Sequence, residues 1–246
     1  MKKLHFVFAL LVALFCSSCS NEPSIITTVD KIADGEWQCF TKEFVLLAPK
    51  SAELRIAADT KYWLFVNGEL VVREGGLKRG PNPTDSYCDV LNEVPNLKFG
   101  KNRVVVLVQY YGRDSYSHRV SAVPGLYFDM TTPLRRIVSD DSWQAVRYDA
   151  MWQPAHEHNL GGLRKYRLAG ANVGYDARKA LDFSGDIDTK SWDKAVIVER
   201  EESEWGNFVV RPIPFWRWSE LRSYESQQWN GRELVCKLPY NAHVSP

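Results

Sequence analysis

The chain has 246 residues, of which 31 are basic and 30 are acidic, giving a formal net charge of +1. Nucleic-acid-binding domains usually carry an excess of basic residues on one surface. The nearly equal numbers of basic and acidic residues here give no such excess, so we expect no nucleic-acid partner. Aromatic side chains are numerous, with 9 Trp, 11 Tyr and 11 Phe. This content is typical of β-sandwich cores and, in secreted proteins, of apolar platforms that contact sugar rings.

The first 18 residues are typical of an export signal. Lys2 and Lys3 precede an almost wholly apolar run from Leu4 to Phe15, which is shorter than the roughly 20 residues of a membrane-spanning helix. Small residues then precede Cys19, as in a bacterial lipobox. We therefore predict an exported protein whose Cys19 is lipidated and held on a bacterial membrane, in the periplasm or at the cell surface. The alternative is a plain cleaved signal, with Cys19 discarded or left free.

Short β-rich runs follow a polar tether at residues 19–34. The clearest is a hairpin in which residues 62–66 and 69–72 are joined by Asn67-Gly68. A loop rich in Gly and Pro follows at 73–89. Residues 103–111 are almost continuously apolar, as expected of a strand buried on both faces. Other strands are predicted at 54–59, 125–129, 136–138 and 233–238. Because no long segment has a helical apolar stripe, the sequence predicts an all-β sandwich or jelly roll.

Polar clusters in the chain do not predict catalysis or a metal. The acidic run at 199–204 is typical of a solvated linker, because paired carboxylates act as acid and base only where their environments differ. His156 and His158 could share one strand face, but two ligands do not complete a structural zinc site. Three aspartates offer the oxygen ligands that calcium prefers but are more simply explained as turn residues: Asp182, Asp186 and Asp188.

Six segments, in this order along the chain, carry a family resemblance. They are AADTKYWLFVNG (57–68), KFGKNRVVVLVQYY (98–111), SDDSWQA (139–145), YDARKALDF (175–183), WGNFVVRPIPFW (205–216) and LPYNAHVSP (238–246). Together they resemble the N-terminal β-sandwich region of bacterial, Bacteroides-type α-L-rhamnosidases. The resemblance covers most of residues 37–246, and the ordered set is more specific than any one segment.

The resemblance implies a galactose-binding-like β-sandwich at residues 35–205. An extended linker and the first strand of the next domain would follow at 206–246. In that family a later (α/α)₆ barrel inverts the anomeric centre with a carboxylic acid and a carboxylate. Nothing in this chain matches that barrel. The resemblance therefore implies no catalytic residue, metal or cofactor here, and no hydrolysis by this chain alone.

The chain is accordingly predicted to be the non-catalytic, carbohydrate-binding front of an α-L-rhamnosidase-like glycoside hydrolase that acts on plant-type or other rhamnose-containing glycans. The alternative is a free-standing, lipid-anchored carbohydrate-binding module. The ending LPYNAHVSP favours the first interpretation, because in the family this segment continues into the next domain.

Sugar contacts are expected in the loops at 73–89 and 111–119. A sugar site needs an aromatic face and planar polar groups that pair with adjacent hydroxyls. The candidate residues are Arg79, Asp85, Tyr87, Tyr111, Arg113 and His118. The alternative is that these loops pack onto their own sheet or onto the absent barrel.

The last 41 residues are expected to have few partners within this chain. We therefore predict an exposed apolar patch that includes some of Phe215, Trp216 and Trp218. We also expect residues 206–246 to open more easily than the sandwich, because local stability follows local contact density.

Overall fold

The computed structural model describes the following residues: 22–49, 51–76, 82, 84–112, 114, 120–121, 123–153, 173–199, 204–216, 226–229, 231 and 234–237. Within these ranges the chain forms strands, turns and irregular segments without a helix, which confirms the all-β prediction. No apolar helix of membrane-spanning length occurs in this described part. The chain divides into two compact units between Phe215 and Trp216.

The strands that the structure describes follow one another along the chain. They are β1 (Ile25–Thr27), β2 (Trp37–Leu46), β3 (Glu53–Asp59), β4 (Lys61–Val66), β5 (Glu69–Gly75), β6 (Ser86–Leu91), β7 (Gly100–Gln109), β8 (Gly125–Thr131), β9 (Arg136–Val138), β10 (Gln144–Arg147), β11 (Met151–Trp152), β12 (Gly174–Tyr175), β13 (Asp193–Lys194), β14 (Val196–Val198), β15 (Phe208–Val210), β16 (Ser226–Trp229) and β17 (Leu234–Lys237).

Two sheets form the sandwich of the first unit. One has the order β14-β1-β8-β3-β6-β15, with β9 paired to β8, and the other has the order β13-β10-β2-β7-β4-β5. Strands β11 and β12 pair separately. In the second unit, β16 and β17 form an antiparallel pair, so the strand predicted at 233–238 is confirmed as β17.

The central core lies between the two sheets and follows the two-residue period of the strands. Tyr62, Leu64 and Val66 of β4 are buried in it. In β7 the alternate residues Val104, Val106 and Val108 face the same core. Because the intervening β7 side chains pack on the other face, β7 is buried on both sides, as its apolar run predicted.

The outer face of the six-stranded sheet is covered by an irregular segment. Phe183 stacks on Phe65 of β4, with ring centroids 4.5 Å apart and planes 24° apart. Trp37 and Trp63 pack together beside them, with centroids 4.9 Å apart. Residues 175–183, which resemble a rhamnosidase segment, therefore form a second apolar layer rather than another strand of the sandwich.

The hairpin predicted at Asn67-Gly68 is confirmed. Asn67 has φ of 50° and Gly68 has φ of 90°, as a two-residue turn that matches the strand twist requires. The neighbouring loop is shorter than predicted, because β5 continues to Gly75 and β6 already begins at Ser86. Tyr87, one of the candidate sugar contacts, thus lies on a strand.

The sandwich extends beyond both boundaries drawn from the sequence. At the front, β1 lies inside the predicted tether, and its apolar residues Ile25 and Ile26 are buried. At the back, β15 joins the seven-stranded sheet parallel to β6. The aromatic residues Trp205 and Phe208 anchor this segment on the outer face of that sheet. Residues 206–215, predicted as the start of a linker, therefore belong to the sandwich unit.

The predicted apolar patch at the back is only partly visible in the described residues. Trp216 is 67% exposed, whereas Phe215 is half-buried against the central core. Trp218 lies outside the described residues. The packing of Phe215 places it with the sandwich unit.

Candidate functional site

The sandwich has two ends that could carry a binding site. Strand β7 runs for ten residues from one end to the other, a distance of roughly 30 Å. We call the end near Asp59, Ser86 and Ser121 the loop end. We call the end near Asn67 and Asn102 the pocket end.

At the loop end, residues 204 and 205 connect Ser86, in the first predicted sugar-contact loop, to residues 121–123, which follow the second one. Ser86 Oγ donates a hydrogen bond to the carbonyl of Trp205 at 2.6 Å. Trp205 Nε1 donates to the carbonyl of Val123 at 3.1 Å, and the amide of Glu204 donates to the carbonyl of Ser121 at 3.1 Å. Ser86 and residues 121–123 therefore lie at the same end of the sandwich.

Asp59 holds the second of these loops. The amide of Ser121 donates to Asp59 Oδ2 at 2.7 Å, and Thr60 Oγ1 donates to Asp59 Oδ1 at 2.7 Å. The Tyr111 amide in turn donates to Thr60 Oγ1 at 2.9 Å. Burial, assisted by the negative charges of Asp59 and Asp34, raises the pKa of Tyr110 to about 12. Asp59 is thus a buried structural anchor rather than an exposed catalytic carboxylate.

The candidate sugar contacts in the described part of the chain have different environments. Tyr111 is buried. Both carboxylate oxygens of Asp85 accept hydrogen bonds, from Asn82 Nδ2 at 2.7 Å and from the Asn207 amide at 2.9 Å. Tyr87 is half-buried on β6. Arg79, Arg113 and His118 lie outside the described residues. Among the three described candidates, Tyr87 is therefore the side chain best able to face a ligand.

The bond between Asp85 and Asn207 predicts a measurable titration. The hydrogen bond from Asn82, followed by the one from the Asn207 amide, lowers the pKa of Asp85. A lowered pKa means that these contacts persist above the ordinary aspartate pKa and are lost as the pH falls through the lower, folded-state value. In an NMR titration, the Asn207 amide proton should shift with a midpoint below that of aspartate in a short peptide. A midpoint at or above the peptide value would contradict the contact.

A buried ion pair fastens the segment after β15 to the sheet. Arg211 contacts Asp89 of β6, and both side chains are almost fully buried. Tyr62 Oη donates to Asp89 Oδ2 at 2.7 Å, and the Gly76 amide donates to the same oxygen at 2.8 Å. Burial, with Asp89 nearby, raises the pKa of Tyr62 well above its ordinary value. The guanidinium also lies over the Phe215 ring, 4.7 Å from its centroid.

The pocket end contains an open cavity of about 440 Å³. Its lining combines the β4–β5 turn, the start of β7, the end of β2 and the turn at 184–186. The lining residues are Glu43, Asn67, Lys98, Lys101, Asn102, Arg103, Ser184, Gly185 and Asp186. A Cβ atom on Gly68 would lie 2.8 Å from the carbonyl oxygen of Ser184, so the absence of a side chain there lets the two turns meet.

The side-chain amides of Asn67 and Asn102 in the pocket are hydrogen-bonded within the protein. Asn102 Oδ1 accepts from the Lys98 amide at 2.8 Å and from Asn67 Nδ2 at 2.9 Å. Asn102 Nδ2 donates to the carbonyls of Lys98 and Gly100, at 2.7 and 2.9 Å. Asn67 Oδ1 accepts from the Arg103 amide at 2.9 Å. Asn102 thereby uses its full hydrogen-bonding capacity within the protein.

The charged side chains of the pocket are less completely paired. Lys101 Nζ lies 2.9 Å from Glu43 Oε2, and both side chains are largely exposed. Arg103 donates to the carbonyl of Gly185 and lies 3.7 Å from Asp186 Oδ1. In the part of the chain that the structure describes, the Lys98 ammonium has no acidic partner within 4.0 Å.

The aspartates considered for calcium act in turns. Asp182 Oδ1 accepts from the Ser184 amide at 2.9 Å and from its hydroxyl at 2.6 Å. Asp188 Oδ1 accepts from the Lys190 amide at 3.1 Å. Across the described ranges, no three His, Cys, Asp or Glu side chains converge as metal ligands. The pair at 156 and 158 lies outside those ranges.

The sequence predicted one turn of the pocket, Asn67-Gly68, but not the pocket itself. The missing information was the register, in which Val66 of β4 pairs with Val104 of β7. That pairing brings the Asn67-Gly68 turn beside the start of β7.

Comparison with known proteins finds similar solved structures but no similar sequence. No protein-family model matches the sequence, and no curated protein sequence is significantly similar to it. The chain is similar in structure to the GH78 family rhamnosidase of Bacillus sp. GL1, with a TM-score of 0.63 and 23% identity over 79% of this chain and 20% of that one. The α-L-rhamnosidase of Dictyoglumus thermophilum gives a TM-score of 0.58 and 21% identity over 78% of this chain and 22% of that one.

A Pleurotus ostreatus lectin is also similar, with a TM-score of 0.45 and 19% identity over 77% of this chain and 46% of that one. The two rhamnosidase alignments have TM-scores above 0.5, so this chain has the fold of a part of those enzymes. The predicted β-sandwich is thereby confirmed. The chain spans about a fifth of the length of the rhamnosidases it matches.

Proposed function

We propose that this chain is the non-catalytic, carbohydrate-binding front part of an α-L-rhamnosidase-like glycoside hydrolase of the Bacteroides type, acting on rhamnose-containing glycans. One observation carries the proposal: about four fifths of the chain aligns with about one fifth of a rhamnosidase. The six rhamnosidase-like sequence segments support the same family independently of the alignment.

Carbohydrate binding is proposed for the loop end. Tyr87 offers a half-buried aromatic ring there. Arg79, Arg113 and His118 remain the proposed polar contacts in the adjoining loops. Asp85 and Tyr111 instead support the site, since the first holds Asn207 and the second is buried. An aromatic surface with nearby planar polar groups suits a sugar ring.

The absence of catalysis is proposed from the environment of the buried carboxylates. An inverting glycosidase holds an acid and a base about 6.5–9.5 Å apart, with room between them for water. The carboxylates of Asp59 and Asp89 are instead buried and accept hydrogen bonds from other groups of the protein. Neither carboxylate has the access to water that the reaction needs.

An activity assay tests the non-catalytic assignment. The purified chain should leave an aryl α-L-rhamnoside intact, because the barrel that performs hydrolysis in the family has no match in this sequence. Turnover that persists through rigorous purification, and that disappears when one of this chain's own carboxylates is changed to the amide, would overturn the assignment.

Membrane anchoring is a separate part of the proposal. Cys19 follows an apolar run and two serines, so it should carry lipid and hold the protein on the membrane. Cys19→Ala should move the protein from the membrane fraction to the soluble fraction in bacterial cells. Cys16→Ala is the matched control and should leave the distribution unchanged. Equal membrane retention of the Cys19→Ala variant and the unmodified chain would contradict the anchor.

A further inference from the structure

The pocket end is a second candidate binding site, distant from the loop end. Its floor is rigid, because Asn102 is buried and hydrogen-bonded at both its amide oxygen and its amide nitrogen. Its volume of about 440 Å³ falls within the range of roughly 300–1,000 Å³ that is usual for small-ligand sites. The cavity is therefore large enough for one or two sugar units.

The chemistry of this pocket is unsuited to a neutral sugar. Its described lining contains no aromatic side chain on which a sugar ring could stack. The amides of Asn67 and Asn102, which would otherwise pair with hydroxyls, are engaged with each other and with the backbone. Recognition in this pocket must therefore come from the charged side chains.

Those charges leave an excess of one positive charge. Three cations, Lys98, Lys101 and Arg103, line the cavity together with two carboxylates, Glu43 and Asp186. The Lys101–Glu43 pair is exposed, with 70% and 54% of the two side chains accessible, so water weakens it and a ligand can replace Glu43. Lys98, which forms no ion pair with any residue that the structure describes, can bind an anion without breaking such a pair.

We propose that the pocket end binds the anionic group of an acidic saccharide, a sugar carboxylate or sulfate ester, through Lys98 and Lys101. This proposal rests on the proposed function only in taking the ligand to be a saccharide. Arg103 donates to the carbonyl of Gly185 and lines the same cavity. Charge-assisted hydrogen bonds from the ammonium groups supply the attraction.

Calorimetric titration of the purified chain tests the proposal with matched ligands. The ligands are tri-galacturonic acid, its methyl ester and a sulfated disaccharide. The ester keeps the sugar rings but removes the charge. The acid or the sulfated sugar should bind about tenfold more tightly than the ester, and the difference should shrink as salt is raised from about 50 to about 500 mM. The relative affinities of the acid and the sulfated sugar identify which anionic group the pocket prefers.

Side-chain variants locate the site. Lys98→Gln should weaken binding of the preferred acidic sugar about three- to tenfold, while Lys190→Gln, which removes an exposed lysine away from the pocket, should leave it unchanged. Lys98 and Lys190 are both exposed, so both variants should fold as the parent does. Equal affinity for acid, ester and sulfated sugar, or equal effects of the two variants, would overturn the proposal. Binding of neutral rhamnose-containing glycans without binding of acidic sugars would also overturn it, while leaving the proposed function intact.

Discussion

Replacing Arg211 with methionine is expected to lower the free energy of unfolding by about 3–5 kcal/mol, because it leaves the Asp89 carboxylate buried without its cation. Asp89 lies inside the sandwich and accepts hydrogen bonds from Tyr62 and Gly76, which hold the carboxylate in place. Urea denaturation followed by circular dichroism measures the change. The loss should affect the sandwich unit, since Asp89 belongs to β6.

Two further variants isolate the effect of burial. Arg178→Met removes an equally well-formed ion pair with Asp176, at 2.8 Å, but that arginine is 89% exposed, so the loss should stay below about 1 kcal/mol. The double variant Asp89→Asn with Arg211→Met removes both charges and should recover part of the stability. Equal losses of unfolding free energy in Arg211→Met and Arg178→Met would show that the buried Arg211–Asp89 pair does not fasten the segment after β15 to the sheet.

Truncation of Trp205 to alanine is expected to cost about 3–5 kcal/mol. The indole is fully buried on the outer face of the seven-stranded sheet and packs at 80° against Phe208, with ring centroids 6.0 Å apart. Its Nε1 also donates to the Val123 carbonyl at 3.1 Å, and the variant loses this bond while Ser121 Oγ still donates to the same carbonyl at 3.2 Å. Thermal and urea unfolding measure the loss.

The matched control is Trp216→Ala, which removes the same side chain eleven residues later in the chain. Trp216 is 67% exposed, so its removal should change stability by no more than about 0.5 kcal/mol. The contrast tests whether Trp205 anchors the segment that follows it, residues 206–215, to the sandwich. Similar small effects of both substitutions would contradict that anchoring and would favour the linker that the sequence predicted from residue 206.

Local patterns made part of the fold predictable. The turn at Asn67-Gly68 has its own conformational signature, and the apolar run of β7 identifies a strand buried on both faces. Both signals lie within about ten residues of sequence. They therefore do not depend on which distant strands the segment meets.

The remaining features depend on contacts between distant segments. β15 has only three residues, Phe208–Val210, and becomes a strand by pairing with β6 more than a hundred residues earlier. The partner of Asp89 could not be read from the sequence either, because Arg211 reaches it only through that pairing. The pocket end arises in the same way, from the register of β4 with β7. For the predicted sugar contacts, the sequence did not indicate that Tyr87 lies on β6 or that Tyr111 is buried.

Carbohydrate binding without hydrolysis is tested most directly by calorimetric titration of the purified chain with a neutral rhamnose-containing oligosaccharide. We expect saturable binding at one site, with the oligosaccharide recovered intact, and a clear loss of affinity in Tyr87→Ala but not in Lys98→Gln. If a folded chain gives no binding heat on titration with rhamnose-containing glycans, the proposed function is contradicted.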